Sequence, residues 1–235
     1  MVKHDEVRLV TIMVGAVQLE GILDLPDDPR GIVAFVHGSG SSRHSPRNRF
    51  VAQSLRSDAH VGTLLFDLLS WTEEQEDVRT ARLRFDIELL AARVEAATAW
   101  LHDDPETSAI PIGYFGASTG AAATLVAAAR RPREVAAIVS RGGRPDLAGP
   151  EVLGRVRAPT LLLVGGEDVP VIDMNRDALR MMRTECRLDV IPGASHLFEE
   201  PGALEQVARR ASAWFVAHFQ ERRSPPCGLE VPSRS

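Results

Sequence analysis

Three side chains that could share one piece of chemistry each stand in a glycine-containing turn after an apolar run. Ser118 lies in Gly116-Ala117-Ser118-Thr119-Gly120, Asp168 follows Gly165-Gly166-Glu167, and His196 follows Pro192-Gly193-Ala194-Ser195. A serine hydroxyl is a feeble nucleophile at neutral pH, so it needs a base within hydrogen-bonding reach and an acid that orients the base. The pentapeptide around Ser118 follows the apolar run 110–115 and opens an alanine-rich stretch reaching Arg130, which puts the serine where a strand becomes a helix. A G-x-S-x-G turn in that setting holds its serine in a strained conformation and lifts the hydroxyl off the sheet edge at a helix N-terminus. Gly116 and Gly120 are steric requirements of such a turn, because a Cβ at either position would meet neighbouring backbone. Alone, a pattern with three fixed positions is common by chance, and its meaning comes from its partners.

Asp168 and His196 supply those partners in the chain order Ser, Asp, His, each just after a predicted strand. In open α/β sheets such groups gather at the C-terminal ends of the strands. Glu167 and Asp173 are rival acids: the first neighbours Asp168 and points differently, and the second falls in the first turn of the next predicted helix, where an acid favours the helix dipole. For His196 the alternative is a surface loop histidine. His4, His60, His102 and His218 fall in the terminus, a loop or helices and are expected to be exposed, and nothing groups His, Cys and Asp at metal-ligand spacing, so neither metal nor cofactor is expected. Acyl transfer also needs donors for a developing oxyanion, each worth about 3 kcal/mol. The loop His37-Gly38-Ser39-Gly40-Ser41-Ser42 follows the third predicted strand, and the Ser39 and Thr119 N–H groups are the expected pair, with Gly38 and Gly40 permitting the turn. The alternative is an ordinary Gly/Ser loop.

These groups must be positioned by a sheet. Apolar runs at 7–14 and 18–25 predict an antiparallel hairpin, and further strands are predicted at 31–36, 62–66, 110–115, 135–140, 160–164 and 188–191. Eight short strands alternating with helix-period segments describe a mostly parallel sheet with helices on both faces. Leu83, Ile87, Leu90, Val94, Ala97 and Leu101 repeat at three- and four-residue steps and predict a helix over 83–102; Leu204, Val207, Ala208, Ala211 and Phe215 predict a last one over 203–219. One domain over 1–222 is expected, followed by a Ser/Pro/Gly-rich disordered tail at 223–235.

Composition narrows the function. Of 27 basic residues 26 are arginine and only Lys3 is lysine, so Schiff-base and P-loop chemistry lack their lysine. The arginines are interspersed with acids at a net charge of -5, which argues against a nucleic-acid partner. Cys186 in a strand and Cys227 in the tail do not make a disulfide framework, residues 1–10 are too charged for a signal peptide, and no apolar run reaches membrane-spanning length. A soluble cytoplasmic protein is expected, with its oligomeric state unread.

Taken together, the His37-Gly38-Ser39-Gly40 loop, the Ser118 pentapeptide, Gly165-Gly166-Glu167-Asp168 and Gly193-Ala194-Ser195-His196 resemble the α/β-hydrolase superfamily, in its dienelactone-hydrolase-like branch, over about residues 7–219. The resemblance implies the α/β-hydrolase fold, a triad of Ser118, Asp168 and His196, and a serine hydrolase acting on a small, polar carboxylic ester or thioester through an acyl-enzyme. Dienelactone hydrolases proper carry cysteine where this chain has Ser118, a departure that points toward a carboxylesterase. About 19 residues separate the sixth and seventh predicted strands, so the cap must be minimal and the site open. Arg43, Arg47, Arg141 and Arg144 flank the site in sequence and could favour an anionic ester, the alternative being a solvated rim. Two competing functions share the layout: a non-catalytic binding protein, and an acyltransferase or perhydrolase that replaces water as acceptor.

Overall fold

In the computed structural model, which describes residues 6–223, the strands β1 (Glu6–Val14), β2 (Val17–Leu25), β3 (Ile32–Val36), β4 (Gly62–Phe66), β5 (Ile112–Ala117), β6 (Val135–Arg141), β7 (Thr160–Gly165) and β8 (Cys186–Ile191) form one sheet. Their order is β1-β2-β4-β3-β5-β6-β7-β8. The hairpin β1/β2 and the β2/β4 pair are antiparallel, and every pairing from β4 through β8 is parallel. Along β3, Ile32, Ala34 and Val36 enter one core cluster while Val33 and Phe35 enter the other, so both faces of the sheet are covered. That double burial is why the central strands read as unbroken apolar runs without polar alternation.

Helices α3 (Ile87–Asp103) and α4 (Thr119–Arg130) lie on one face; α1 (Pro46–Ala59) and α7 (Ala203–Arg223) pack together on the other. Residues 119–129 of α4 are all buried, and their small side chains bring the helix close against β5. Three further helices are α2 (Trp71–Thr80), α5 (Pro150–Arg155) and α6 (Val169–Met181).

The helix predicted over 83–102 starts later. Leu83–Phe85 is a separate 3-10 turn, and the Asp86 carboxylate accepts the Leu89 N–H at 3.0 Å, which makes Asp86 the cap of α3. Sequence reading passed over α2, although Ser70 and Glu73 form a reciprocal capping box, a pattern visible as S-x-x-E. Asp173 sits beyond the first turn of α6 and pairs with Arg176 at 3.0 Å. His218, expected to be exposed, is 5% exposed and meets the Trp214 ring edge-on at 4.5 Å. The last helix reaches Arg223, four residues past its predicted end and one residue into the predicted tail. Residues 224–235, with Cys227, lie outside the described residues, as do Lys3 and His4.

Candidate active site

Ser118 occupies the corner between β5 and α4 with φ 50° and ψ -120°, a combination that costs a non-glycine residue on the order of 1–3 kcal/mol. Although it stands at the N-cap position, its side chain makes no capping bond, so the hydroxyl is left for other work. Backbone from the next strand clamps the corner: the Ser118 N–H donates to the Arg141 carbonyl at 3.2 Å, and the Ser118 carbonyl accepts from the Arg144 and Ala121 N–H groups at 3.2 and 3.1 Å. Gly120 is required for a different reason. A Cβ there would lie 2.4 Å from the carbonyl oxygens of both Val36 and His37, so α4 seats on the end of β3 only through a bare Cα.

His196 and Asp168 meet across the sheet edge, the His196 Nδ1–H donating to Asp168 Oδ2 at 2.5 Å. Of the three acids considered from sequence, Asp168 is the one in contact with the imidazole. Its carboxylate is mostly buried, at 15% exposure, while the His196 side chain is 39% exposed. The histidine ring rests on Gly142, where φ is +52° and an added Cβ would lie 3.2 Å from the His196 carbonyl and 3.4 Å from ring Cε1. Among the described residues no hydrogen bond joins the Ser118 hydroxyl to His196. The two are held at one end of the sheet through consecutive residues, Arg141 under the serine and Gly142 under the imidazole.

The loop after β3 is pinned by a buried histidine. The Leu68 N–H donates to His37 Nε2 at 3.1 Å, which fixes the ring as the Nδ1–H tautomer, and Nδ1–H donates to the Gly38 carbonyl with Nδ1 3.0 Å from the oxygen. Burial pushes the His37 pKa down, only partly offset by the Gly38 bond and the Asp67 and Glu74 carboxylates, so the ring is neutral. Gly38 faces Ser118, a Cβ there coming 3.1 Å from the serine's own. The Ser39 N–H is already engaged, donating to Thr119 Oγ1 at 3.0 Å. Beside this loop, on the side of Ser39 and Thr119, a small cleft opens to solvent between Leu68, Leu69, Leu90 and the Asp77–Arg84 ion pair.

The four flanking arginines separate into two kinds. Arg43 is neutralised by Asp67 and Glu20, and Arg144 makes a bidentate pair with Asp146 at 2.8 and 2.7 Å. Arg47, on the first turn of α1, pairs at the surface with Glu199 at 2.9 Å. Arg141 has no carboxylate partner among the described residues. Desolvation, and then the nearby Arg47 cation, push its pKa down to about 10, so it remains charged at neutral pH.

Sequence reading missed the Gly142 seat and the cleft residues Leu68, Leu69, Asp77 and Arg84. The Gly142-Gly143 pair directly after an apolar strand was the available signal for the first, and the capping box of α2 for the second.

Among the described residues, no cluster of three or more His, Cys, Asp or Glu is placed to hold a metal ion, and no helix is long and apolar enough to cross a membrane. The crystal structure of a dienelactone hydrolase from Anabaena variabilis is similar, with 58% identity, a TM-score of 0.89, and coverage of 91% of this chain and 98% of that one. Est1E from Butyrivibrio proteoclasticus shares the fold at 15% identity, with a TM-score of 0.75 over 90% of this chain and 99% of its own. Two curated Mycobacterium tuberculosis proteins, each called a putative phosphoribosyl transferase, are 56% identical over 210 residues, 89% of this chain and 46% of theirs. This chain thus spans less than half the length of those curated relatives. The family model for the dienelactone hydrolase family matches residues 62–220, the greater part of an α/β-hydrolase sheet with its strained serine corner, and the chain belongs to that family.

Proposed function

We propose that the chain is a serine hydrolase that cleaves a small carboxylic ester or thioester through an acyl-enzyme. The observation that carries this reading is the His196–Asp168 bond at 2.5 Å, made at the sheet end where the strained Ser118 projects an uncapped hydroxyl. His196 Nε2 takes the Ser118 proton as Oγ attacks the acyl carbon. Asp168 holds the ring as the Nδ1–H tautomer and stabilises the imidazolium. The carbonyl electrons move to oxygen, where the Thr119 N–H at the start of α4 and the Ser39 N–H receive the charge. For Ser39 this requires sharing its proton or a rotation of the Thr119 side chain. His196 then protonates the leaving group, and a water deprotonated by the same imidazole releases the acid. The small apolar cleft beside the oxyanion loop suits a short acyl or alcohol group, and the short segment between β6 and β7 leaves the serine open to polar substrates.

The 210 matched residues make up 46% of each curated relative called a putative phosphoribosyl transferase, so more than half of each of those proteins lies outside the match. Two observations favour a non-catalytic binder on the same fold: the Ser39 donor is occupied, and among the described residues no hydrogen bond joins Ser118 to His196. A fluorophosphonate probe separates the readings. An enzyme is labelled rapidly at Ser118, and labelling disappears in Ser118→Ala; folded wild-type protein that resists the probe sinks the hydrolase reading. Screening short-chain esters and thioesters, with water and added alcohols as competing acceptors, then distinguishes hydrolysis from acyl transfer.

A further inference from the structure

Buried charges in proteins are paired, because an isolated ion loses its hydration with nothing in return. Arg141 breaks that rule. The residue is 7% exposed, its Nε has no hydrogen-bond partner, and its best polar contact to another side chain is from Nη2 to the Asn48 side-chain oxygen at 3.5 Å, the limit of a hydrogen bond. Its guanidinium faces the Phe198 ring, 5.8 Å from the centroid. The one charged side chain that perturbs it is also a cation. Arg47 is close enough to repel it, and Asn48 sits in the first turn of the 14-residue α1, capped by Ser45, where the helix dipole adds further positive potential. A buried cation, a second cation at its edge and a helix N-terminus together give this spot a positive potential suited to an anion.

The backbone of Arg141 adjoins the serine corner and the histidine. Arg141 pairs in register with Ala117, its carbonyl receives the Ser118 N–H at 3.2 Å, and the next residue seats His196. Arg43 and Arg144, by contrast, have their own acids and need no further anion.

We propose that Arg141, together with Arg47 and Asn48, binds the oxyanion group of an acidic ligand, a carboxylate or phosphate, beside the nucleophile. This deepens the hydrolase reading and rests on it for the claim that the ligand is a substrate or an inhibitor. Arg141 supplies the buried charge with its free Nε–H, Asn48 its amide N–H, and Arg47 the movable outer arm, released from Glu199 to close over the anion.

The test compares hydrolysis of 4-nitrophenyl acetate with that of mono-4-nitrophenyl succinate, and measures inhibition of the acetate reaction by inorganic phosphate. A charge-assisted contact of this kind should favour the succinate ester by about tenfold in kcat/KM, or give phosphate inhibition competitive with the neutral ester. Preference without phosphate inhibition identifies a carboxylate carried by the substrate; inhibition without preference identifies a free phosphate ligand. Arg141→Met, which keeps apolar contact with Phe198, should remove the effect, and Arg47→Gln should weaken it severalfold even if the first variant does not fold. Turnover of the acetate ester with neither effect, or an effect unchanged in both variants, overturns the inference while leaving the hydrolase reading standing. Failure to turn over either ester overturns the hydrolase reading instead; calorimetric titration of phosphate and succinate into wild-type protein then decides the anion site, where absence of binding refutes it.

Discussion

Replacing Ser118 by glycine should leave the protein more stable than replacing it by alanine, an inversion of the usual order. Both changes delete the hydroxyl, and in both the deletion costs no helix cap, because the Ser118 side chain makes no capping bond. They differ only in Cβ. At φ 50° and ψ -120° a Cβ costs about 1–3 kcal/mol of backbone strain, which alanine keeps and glycine releases. Glycine loses about 0.4–1 kcal/mol through the greater freedom of its unfolded chain. The Cβ also has tight neighbours, since Gly38 approaches so closely that a Cβ of its own would come within 3.1 Å of it. The difference favours glycine by about 1 kcal/mol. For a chain of this length that separates the melting temperatures by roughly 2–4 °C, and urea midpoints at equal slope give the free energy directly. Alanine equal to or above glycine would refute the claim that the corner stores strain, and with it the argument that the surrounding clamp forces the nucleophile into place.

Three further outcomes follow from the same geometry. Asp168→Asn should lower kcat by on the order of 10⁴ with little change in KM, since it loses the carboxylate that orients His196; full activity would move the orienting role to Glu167. Gly142→Ala forces a Cβ toward the His196 ring in a left-handed conformation, and should reduce kcat by at least about tenfold while the far-ultraviolet circular dichroism stays unchanged. His37 has a folded pKa below its ordinary value of 6.5, so its contribution to stability is fully present above pH 6.5 and is lost as the pH falls below that value. Urea unfolding from pH 7.5 to 5 should show this loss in wild-type protein, at up to about 1.4 kcal/mol per pH unit, and a flatter profile in His37→Gln.

The fold was legible because the sheet is buried on both faces. Runs such as 32–36 and 161–164 are apolar throughout, and the turns between strands and helices carry glycines whose steric reasons are local. The Ser118 corner was readable for the same reason: Gly120 answers to contacts that any G-x-S-x-G corner must make. What the sequence concealed depends on long-range approach. The seat of His196 at Gly142 is set by a residue 54 positions away, and the helix α2 that walls the cleft has an exposed, polar surface with only Asp77 buried, so no apolar stripe announces it. The four arginines looked alike in sequence, and only the placement of Asp67, Glu20, Asp146 and Glu199 distinguishes them.

That distinction bears on how the site works as a whole. The segment Arg141-Gly142-Gly143-Arg144 touches Ser118, His196 and the proposed anion site: its first carbonyl and last N–H clamp Ser118, its first glycine carries the imidazole, and its first side chain holds a charge with no carboxylate partner among the described residues. Asn175 of α6 fixes the middle of the segment by donating to the Gly143 carbonyl at 3.0 Å. A ligand anion on Arg141 would therefore act on backbone that positions both nucleophile and base. Occupancy of that site by the substrate's own anion should alter kcat as well as KM, whereas an ordinary binding contact remote from the clamp would alter KM alone.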